Sequence, residues 1–259
     1  GLLMTFPTLP TKTILHVNNQ VSIPYIELTL KILNSFGIDI KNYNYKRYYI
    51  SGNQTYKSQN KYIVDGDWSS AANLIVAAAI CGEVTITDLK NESLQADREI
   101  LNILKKCGAN IQESEDTITV SKSKLKAFEM NAENCPDLVP PLVALAVNCE
   151  GFSRISGINR LENKESNRIN ALLEEYSKMR ANITYKKNSL IIEGKKIYGG
   201  KLWSHSDHRI AMSLTIAALN AVGLTEICEV QCVSKSYGNF FENLESLGAN
   251  IIWTTLETS

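Results

Sequence analysis

Several charged side chains in the second half of the chain stand where folding alone does not require them. Lys164, Glu165 and Arg168 open a predicted amphipathic helix, Asp207, His208 and Arg209 open an apolar one, and Lys235 lies on a following loop. Asp67, Asp137 and Asp207 each precede an apolar segment, at intervals of 70 residues. That is the N-cap position, where a carboxylate accepts the free N–H groups of the first helical turn. Capping accounts for Asp67 on its own. It does not account for Arg209, because a cation is locally unfavourable beside the positive end of a helix. An anionic ligand explains it better, since helix N-termini offer partial positive charge and unpaired N–H groups. Lys164, Glu165 and Arg168, taken alone, fit a solvated helix face. They gain weight because every candidate falls at the same end of a repeating unit.

The unit recurs with a period of 70 residues. Segments beginning DWSSAANLIVAAAI, DLVPPLVALAV and DHRIAMSLTIAAL start at Asp67, Asp137 and Asp207, and the amphipathic stretches after them end at Asn110, Asn182 and Asn250. A period of this length marks one supersecondary unit stacked several times. Each unit reads β-α-β-α-β-β. In the first, Tyr62-Ile63-Val64 is an extended segment, and residues 71–80 form a helix with no polar face, which must be buried all round. Val84–Thr87 is β-rich, Ile100, Leu101, Ile103, Leu104 and Cys107 form one helical stripe, and Ala109–Glu113 pairs with Thr117–Val120 as a hairpin. The second copy uses Phe152–Ile155, then Ile169, Leu172, Leu173, Tyr176 and Met179, then Ile183–Tyr185 with Leu190–Ile192. In the third, Leu224–Cys228 is followed by a helix and by Ile251-Ile252-Trp253 as a single closing strand.

This periodicity predicts an α/β fold with three units, 61–125, 126–196 and 197–259, around buried parallel helices whose N-termini share one face. Residues 1–60 read as the remnant of a further unit in another domain: strand Thr13–Val17, helix Pro24–Phe36, then Gly37–Ile40. Gly1–Met4 then reads as the end of a helix that would begin before Gly1, so the expectation is a chain cut from a longer protein.

Composition narrows the class. The chain has 259 residues, 44% of them hydrophobic, with 27 Lys plus Arg against 27 Asp plus Glu. That excludes a disordered chain, and a zero net charge argues against a dedicated nucleic-acid binder. No apolar run reaches the ~18–20 residues of a membrane span, and the start lacks the features of a signal peptide. These point to a cytoplasmic protein. Of the cysteines, Cys81, Cys107, Cys135, Cys149, Cys228 and Cys232, only the last two are close, and no nearby His completes a metal site. They read as largely buried free thiols in a reducing compartment, with no metal.

The segments GLLM, SIPYIELTL, DGDWSSAANLIVAAA, CPDLVPPLVALA, RLENKESNRI, SDHRIAM and SKSYGNFFENLESLGA together resemble the 5-enolpyruvylshikimate-3-phosphate (EPSP) synthase family, the 3-phosphoshikimate 1-carboxyvinyltransferases. The resemblance implies two domains of three units each, with an active site between them. Six units amount to about 420 residues, so this chain would be a C-terminal portion lacking about 160 residues, inactive without that N-terminal part. It implies no cofactor, and small-molecule substrates rather than nucleic acid or membrane. The reaction moves the enolpyruvyl group of phosphoenolpyruvate to the 5-hydroxyl of shikimate-3-phosphate with release of phosphate, on the shikimate route to chorismate and the aromatic amino acids.

By motif, Asp137 resembles the base at that hydroxyl and Glu165 the residue that handles the methylene proton. Lys164, with Ser22, Tyr25 and Asp137, resembles the shikimate-3-phosphate contacts, and Arg168, Arg209 and Lys235 resemble the phosphoenolpyruvate cations. Two positions depart from the pattern: Asn167 replaces an Asp, and Gly238 stands where proline is common. UDP-N-acetylglucosamine enolpyruvyl transferases share the repeat and are the nearest alternative; a non-catalytic repeat domain is the other. Retention of Asp137, Glu165, Arg168, Arg209 and Lys235 together argues against a decayed site.

Overall fold

In the computed structural model, which describes residues 1–115 and 117–254, the chain opens with α1 (Leu2–Thr5) and a 3-10 turn, then β1 (Thr13–His16) and α2 (Ile23–Ser35). A hairpin of β2 (Ile40–Tyr43) and β3 (Arg47–Ile50) follows, giving an antiparallel sheet of order β1-β3-β2. Asn44 and Tyr45 both have positive φ, 50° and 57°, as the tight turn between twisted antiparallel strands requires. The Asn42 side chain accepts a hydrogen bond from the Tyr45 N–H at 2.9 Å. Strand β3 lies outside the expected pattern, although its alternation is plain: Tyr48 and Ile50 are buried while Arg47 and Tyr49 face out. With Leu3, Leu33 and Ile38 they form a small cluster separate from the main core.

The rest of the chain builds the larger core. Helix α3 (Trp68–Cys81) leads to β4 (Glu83–Thr87), α4 (Glu99–Lys106), β5 (Asn110–Glu113) and β6 (Thr117–Ser121), with sheet order β4-β6-β5. Next come β7 (Glu129–Asn131), α5 (Val139–Ala146), β8 (Gly151–Ser156), α6 (Arg168–Lys178), β9 (Asn182–Tyr185) and β10 (Ser189–Gly194), in the order β7-β8-β10-β9. Last are β11 (Lys201–Trp203), α7 (His208–Ala218), β12 (Glu226–Cys228) and α8 (Phe240–Ser246), with β11 and β12 parallel. The helices α3, α5 and α7 pack on one another. Every residue of α5 is buried, which its all-apolar sequence demands. Pro140 and Pro141 are tolerated there because the first turn of a helix has no intrahelical use for its N–H groups.

Two expected strands are absent. Tyr62–Val64 pairs with nothing, and Ile63 is 64% exposed. The chain reaches α3 across the end of β4 rather than beside it: Gly66 packs against the Asp88 carbonyl, and the Gln95 side chain donates to the Gly66 carbonyl at 2.8 Å. Residues 251–254 also form no strand, because no partner ladder is present among the described residues; Trp253 instead packs edge-on against Phe241. The remainder of that closing segment, 255–259, lies outside the described residues. All six cysteines are free, four buried and two partly buried. Among the described residues no helix is long and apolar enough to cross a membrane.

The burial pattern sets a contrast that denaturant unfolding checks. Leu142, fully buried in α5, is expected to cost ~2–5 kcal/mol when replaced by Ala. The exposed Ile63 is expected to cost less than ~0.5 kcal/mol.

Candidate active site

The three apolar helices begin differently, and the difference releases one carboxylate. Asp67 caps α3, accepting from the Ser69 N–H at 2.9 Å, and Asp207 caps α7, accepting from the Arg209 N–H at 2.9 Å. Asp137, expected to cap α5, does not. It sits in a 3-10 turn, Pro136–Leu138, and α5 starts at Val139 with Leu138 at its N-cap. The counterpart of the Ser69 and Arg209 donors is Val139, which itself opens α5, so the 3-10 turn displaces the Asp137 carboxylate from the cap. The Asp137 side chain turns instead to cations: Arg168 Nη1 at 2.9 Å, Lys164 Nζ at 3.3 Å and Arg209 Nε at 3.4 Å.

Arg168 is the hub. It stands at the first position of α6, behind Asn167, whose side chain caps the helix by accepting from the Asn170 N–H at 3.1 Å. Asn in place of Asp therefore keeps the cap. The Arg168 side chain is only 1% exposed, and its fork is filled by Asp137, by Glu165 through Nη2 at 2.7 Å, and by Asp207 through Nε at 2.8 Å. Asp207 also accepts from the Ser166 hydroxyl at 3.0 Å. Lys235, 65% exposed, approaches Glu165 at 3.6 Å. The structure thus joins Asp137, Lys164, Glu165, Arg168, Arg209 and Lys235 in one network, with Asp207 as a seventh member.

Ser22 and Tyr25 reach this region from α2. Ser22, at φ 55°, gives α2 no side-chain cap; its hydroxyl accepts from Arg160 Nη1 at 2.7 Å. The Tyr25 phenol is raised well above its ordinary range by burial, then by the Asp97 and Asp137 charges, with Arg209 opposing.

Electrostatics keep the partly open carboxylates ionised. Burial raises Asp137, but Arg209, Lys164 and Arg168 outweigh it and hold the group below the usual carboxylate range. Burial likewise raises Glu165 and Asp207, and each ends low: Glu165 through its own backbone N–H and Arg168, Asp207 chiefly through Arg168. His208 is pushed down by burial and by Arg209. The result is a face with ionised proton acceptors beside cations, suited to hold an anion and to take protons from what lies next to it.

Three participants were not singled out as site residues in the sequence. Asp97 is buried, accepts from the Ser69 hydroxyl at 2.5 Å and leaves its other oxygen without a partner; burial raises its carboxyl, with Asp137 adding and Ser69, Arg209 and Tyr25 opposing. Asp97-Arg98 stands one repeat before Asn167-Arg168, and that pairing was the available signal. Arg160 had none. Asp207 stood out beside His208 and Arg209, but its tie to Arg168 did not. A further cluster, Glu174, Glu175 and His205, brings its ligand atoms within 4.8 Å of one another, and the Lys178 ammonium already bridges the two carboxylates at 3.0 and 2.7 Å.

Replacing Arg168 by Met strands carboxylates that the fold holds together, and is expected to cost ~3–5 kcal/mol near neutral pH. Because Asp137, Glu165 and Asp207 all sit below the ordinary range, the stability they confer is complete above pH ~5 and is lost as pH falls through their folded values. Denaturation of both proteins from pH ~7 to ~3 should therefore show a shallower acid dependence in the variant.

Comparison with known proteins places this geometry in context. A family model described as EPSP synthase (3-phosphoshikimate 1-carboxyvinyltransferase) matches residues 1–244. A 3-phosphoshikimate 1-carboxyvinyltransferase of Clostridium botulinum (strain Alaska E43 / Type E3) is 41% identical over 254 residues, covering 96% of this chain and 58% of the relative. One from Clostridioides difficile (strain 630) is 41% identical over 254 residues, covering 97% and 58%. Among solved structures, an EPSP synthase from Acinetobacter baumannii superposes with a TM-score of 0.82 at 26% identity, covering 98% of this chain and 60% of that one. The enolpyruvyl transferase NikO from Streptomyces tendae shares the fold at 20% identity, with a TM-score of 0.78 over 98% of this chain and 59% of that one. The chain thus spans about 58% of the length of the curated relatives it matches.

Proposed function

The chain belongs to the EPSP synthase family, and from that premise we propose that it carries one wall of the site where phosphoenolpyruvate and shikimate-3-phosphate react. The observation that supports this most directly is the network centred on Arg168, in which two partly open carboxylates, Asp137 and Glu165, are flanked by Lys164, Arg209 and Lys235. Residues 61–259 form the three-unit domain in this reading, and residues 1–60 belong to the facing one. Transfer itself is carried out together with the part of the family's length that this chain does not span.

In this reading Asp137 takes the proton of the shikimate-3-phosphate 5-hydroxyl as its oxygen attacks C2 of phosphoenolpyruvate, beside Lys164. Ser22 and Tyr25 hold the same substrate from α2. Arg209 and Lys235 bind phosphoenolpyruvate; Arg168, matched by motif to the same role, is buried with its fork filled by carboxylates, and here serves by fixing Asp137 and Glu165. Glu165 delivers a proton to the methylene carbon; in the elimination the resulting methyl group returns a proton to Glu165 while the C–O bond to phosphate breaks and the proton on Asp137 passes to the departing phosphate. Glu165 must first gain that proton, yet its neighbours hold it ionised. A phosphoenolpyruvate anion beside Glu165 would oppose that hold, because a like charge nearby disfavours the ionised form.

Calorimetric titration of phosphoenolpyruvate should show binding to this chain that Arg209→Ala removes; equal affinity in the two proteins would overturn the assignment of Arg209. Phosphate release should be absent from the chain alone and appear when the portion it does not span is supplied from a relative. In that assembly Asp137→Asn should slow turnover by ~10²–10⁴-fold. The acid limb of the rate profile set by Asp137 should lie below pH ~4, since its folded value is depressed.

A further inference from the structure

Helix α6 grips the segment that leads into α7 at two points, and only one of them belongs to the network described above. Arg168, at the start of α6, holds Asp207. Seven residues on, two turns along the same helix face, Glu175 is fully buried and holds the other side of the segment. One of its oxygens accepts the backbone N–H of Trp203 at 2.9 Å; the other lies 2.7 Å from His205 Nε2 and 2.7 Å from Lys178 Nζ. Burial raises the Glu175 carboxyl, but Lys178, the Trp203 N–H and His205 together hold it low.

The segment needs such a clamp. His205 and Ser206 both sit in the left-handed region, each at φ 54°, where side chains with a Cβ are strained and persist only if their surroundings fix them. Ser204 and Ser206 bind the Glu229 carbonyl and carboxylate at 3.0 and 3.2 Å, so the far side is tied as well. Directly after this strained pair come Asp207, His208 and Arg209. Any relaxation of residues 203–206 therefore moves the carboxylate that seats Arg168 and the cation offered to an anion.

We propose that Glu175 is a positioning residue for the anion site: by clamping Trp203 and His205 onto α6 it sets where Asp207 and Arg209 stand. Its function in binding rests on the reading of Arg209 given above; the clamp itself does not. Lys178 neutralises the buried carboxylate and leaves its second oxygen free for the Trp203 N–H. Gln at this position keeps the size and one acceptor, and loses the charge that serves Lys178 and His205 together.

The test compares this chain with Glu175→Gln and, should that variant fail to fold, with His205→Asn, since Asn tolerates the left-handed conformation. Amide exchange at Trp203, Ser206 and Arg209 is expected to speed by about ten-fold or more in either variant while α5 stays protected. Unchanged exchange at those amides overturns the proposal. With phosphoenolpyruvate as probe, affinity should fall about ten-fold with the melting temperature held. Shikimate-3-phosphate affinity should fall by a smaller factor, because Lys164, Ser22 and Tyr25 lie outside the clamp and only Asp137 is linked to it, through Arg168 and Arg209. Equal losses for both ligands would indicate general loosening and count against positioning. If the unaltered chain binds no phosphoenolpyruvate, the reading of Arg209 fails, and the exchange data still decide the clamp.

Discussion

A guanidinium taken out of water must find acceptors around its whole planar fork. Arg168 meets that demand with carboxylates from three separate places: the turn before α5, the approach to its own helix, and the cap of α7. The positions of Asp137, Glu165 and Asp207 are thus set by one buried cation, and the loops carrying them cannot drift independently. Around this hub Lys164, Arg209 and Lys235 approach from the more open side. Four cations then face three carboxylates, and the surplus positive charge lies towards solvent, where an anionic ligand can use it.

The aspartates at the repeat spacing show how one structural slot acquires different uses. Asp67 and Asp207 cap helices in the ordinary way, and Asp207 serves Arg168 with the same carboxylate. At Asp137 a 3-10 turn precedes the helix, which starts only at Val139, and the side chain is free for chemistry. The change lies in where α5 begins, outside the charged motif itself.

Periodicity made the helices legible. An apolar run with no polar face can only be buried, so the helix expected over residues 71–80 is found as Trp68–Cys81, and the amphipathic stripes marked α4 and α6 in the same way. Strands were harder to read, because a strand exists only where another pairs with it. Tyr62–Val64 and Ile251–Trp253 have suitable residues and no ladder, whereas Arg47–Ile50 pairs on both sides. Within the site, the charged residues of the motifs were visible one by one. Their connection was not: Asp97 is marked only by its repeat spacing to Asn167, and the Arg160 contact with Ser22 joins residues 138 positions apart, which no local pattern encodes.

The small cluster of Leu3, Leu33, Ile38, Tyr48 and Ile50 has a thermodynamic consequence. Five buried apolar side chains, with Phe6, Leu15, Val17, Ile26, Leu30 and Ile40 packed against them, order residues 1–60 through contacts of their own rather than through the main core. Ser22 and Tyr25 ride on that segment, and the Ser22 contact with Arg160 ties it to the rest of the chain. Anything that binds them together with the Arg168 network tightens the segment's folding by mass action.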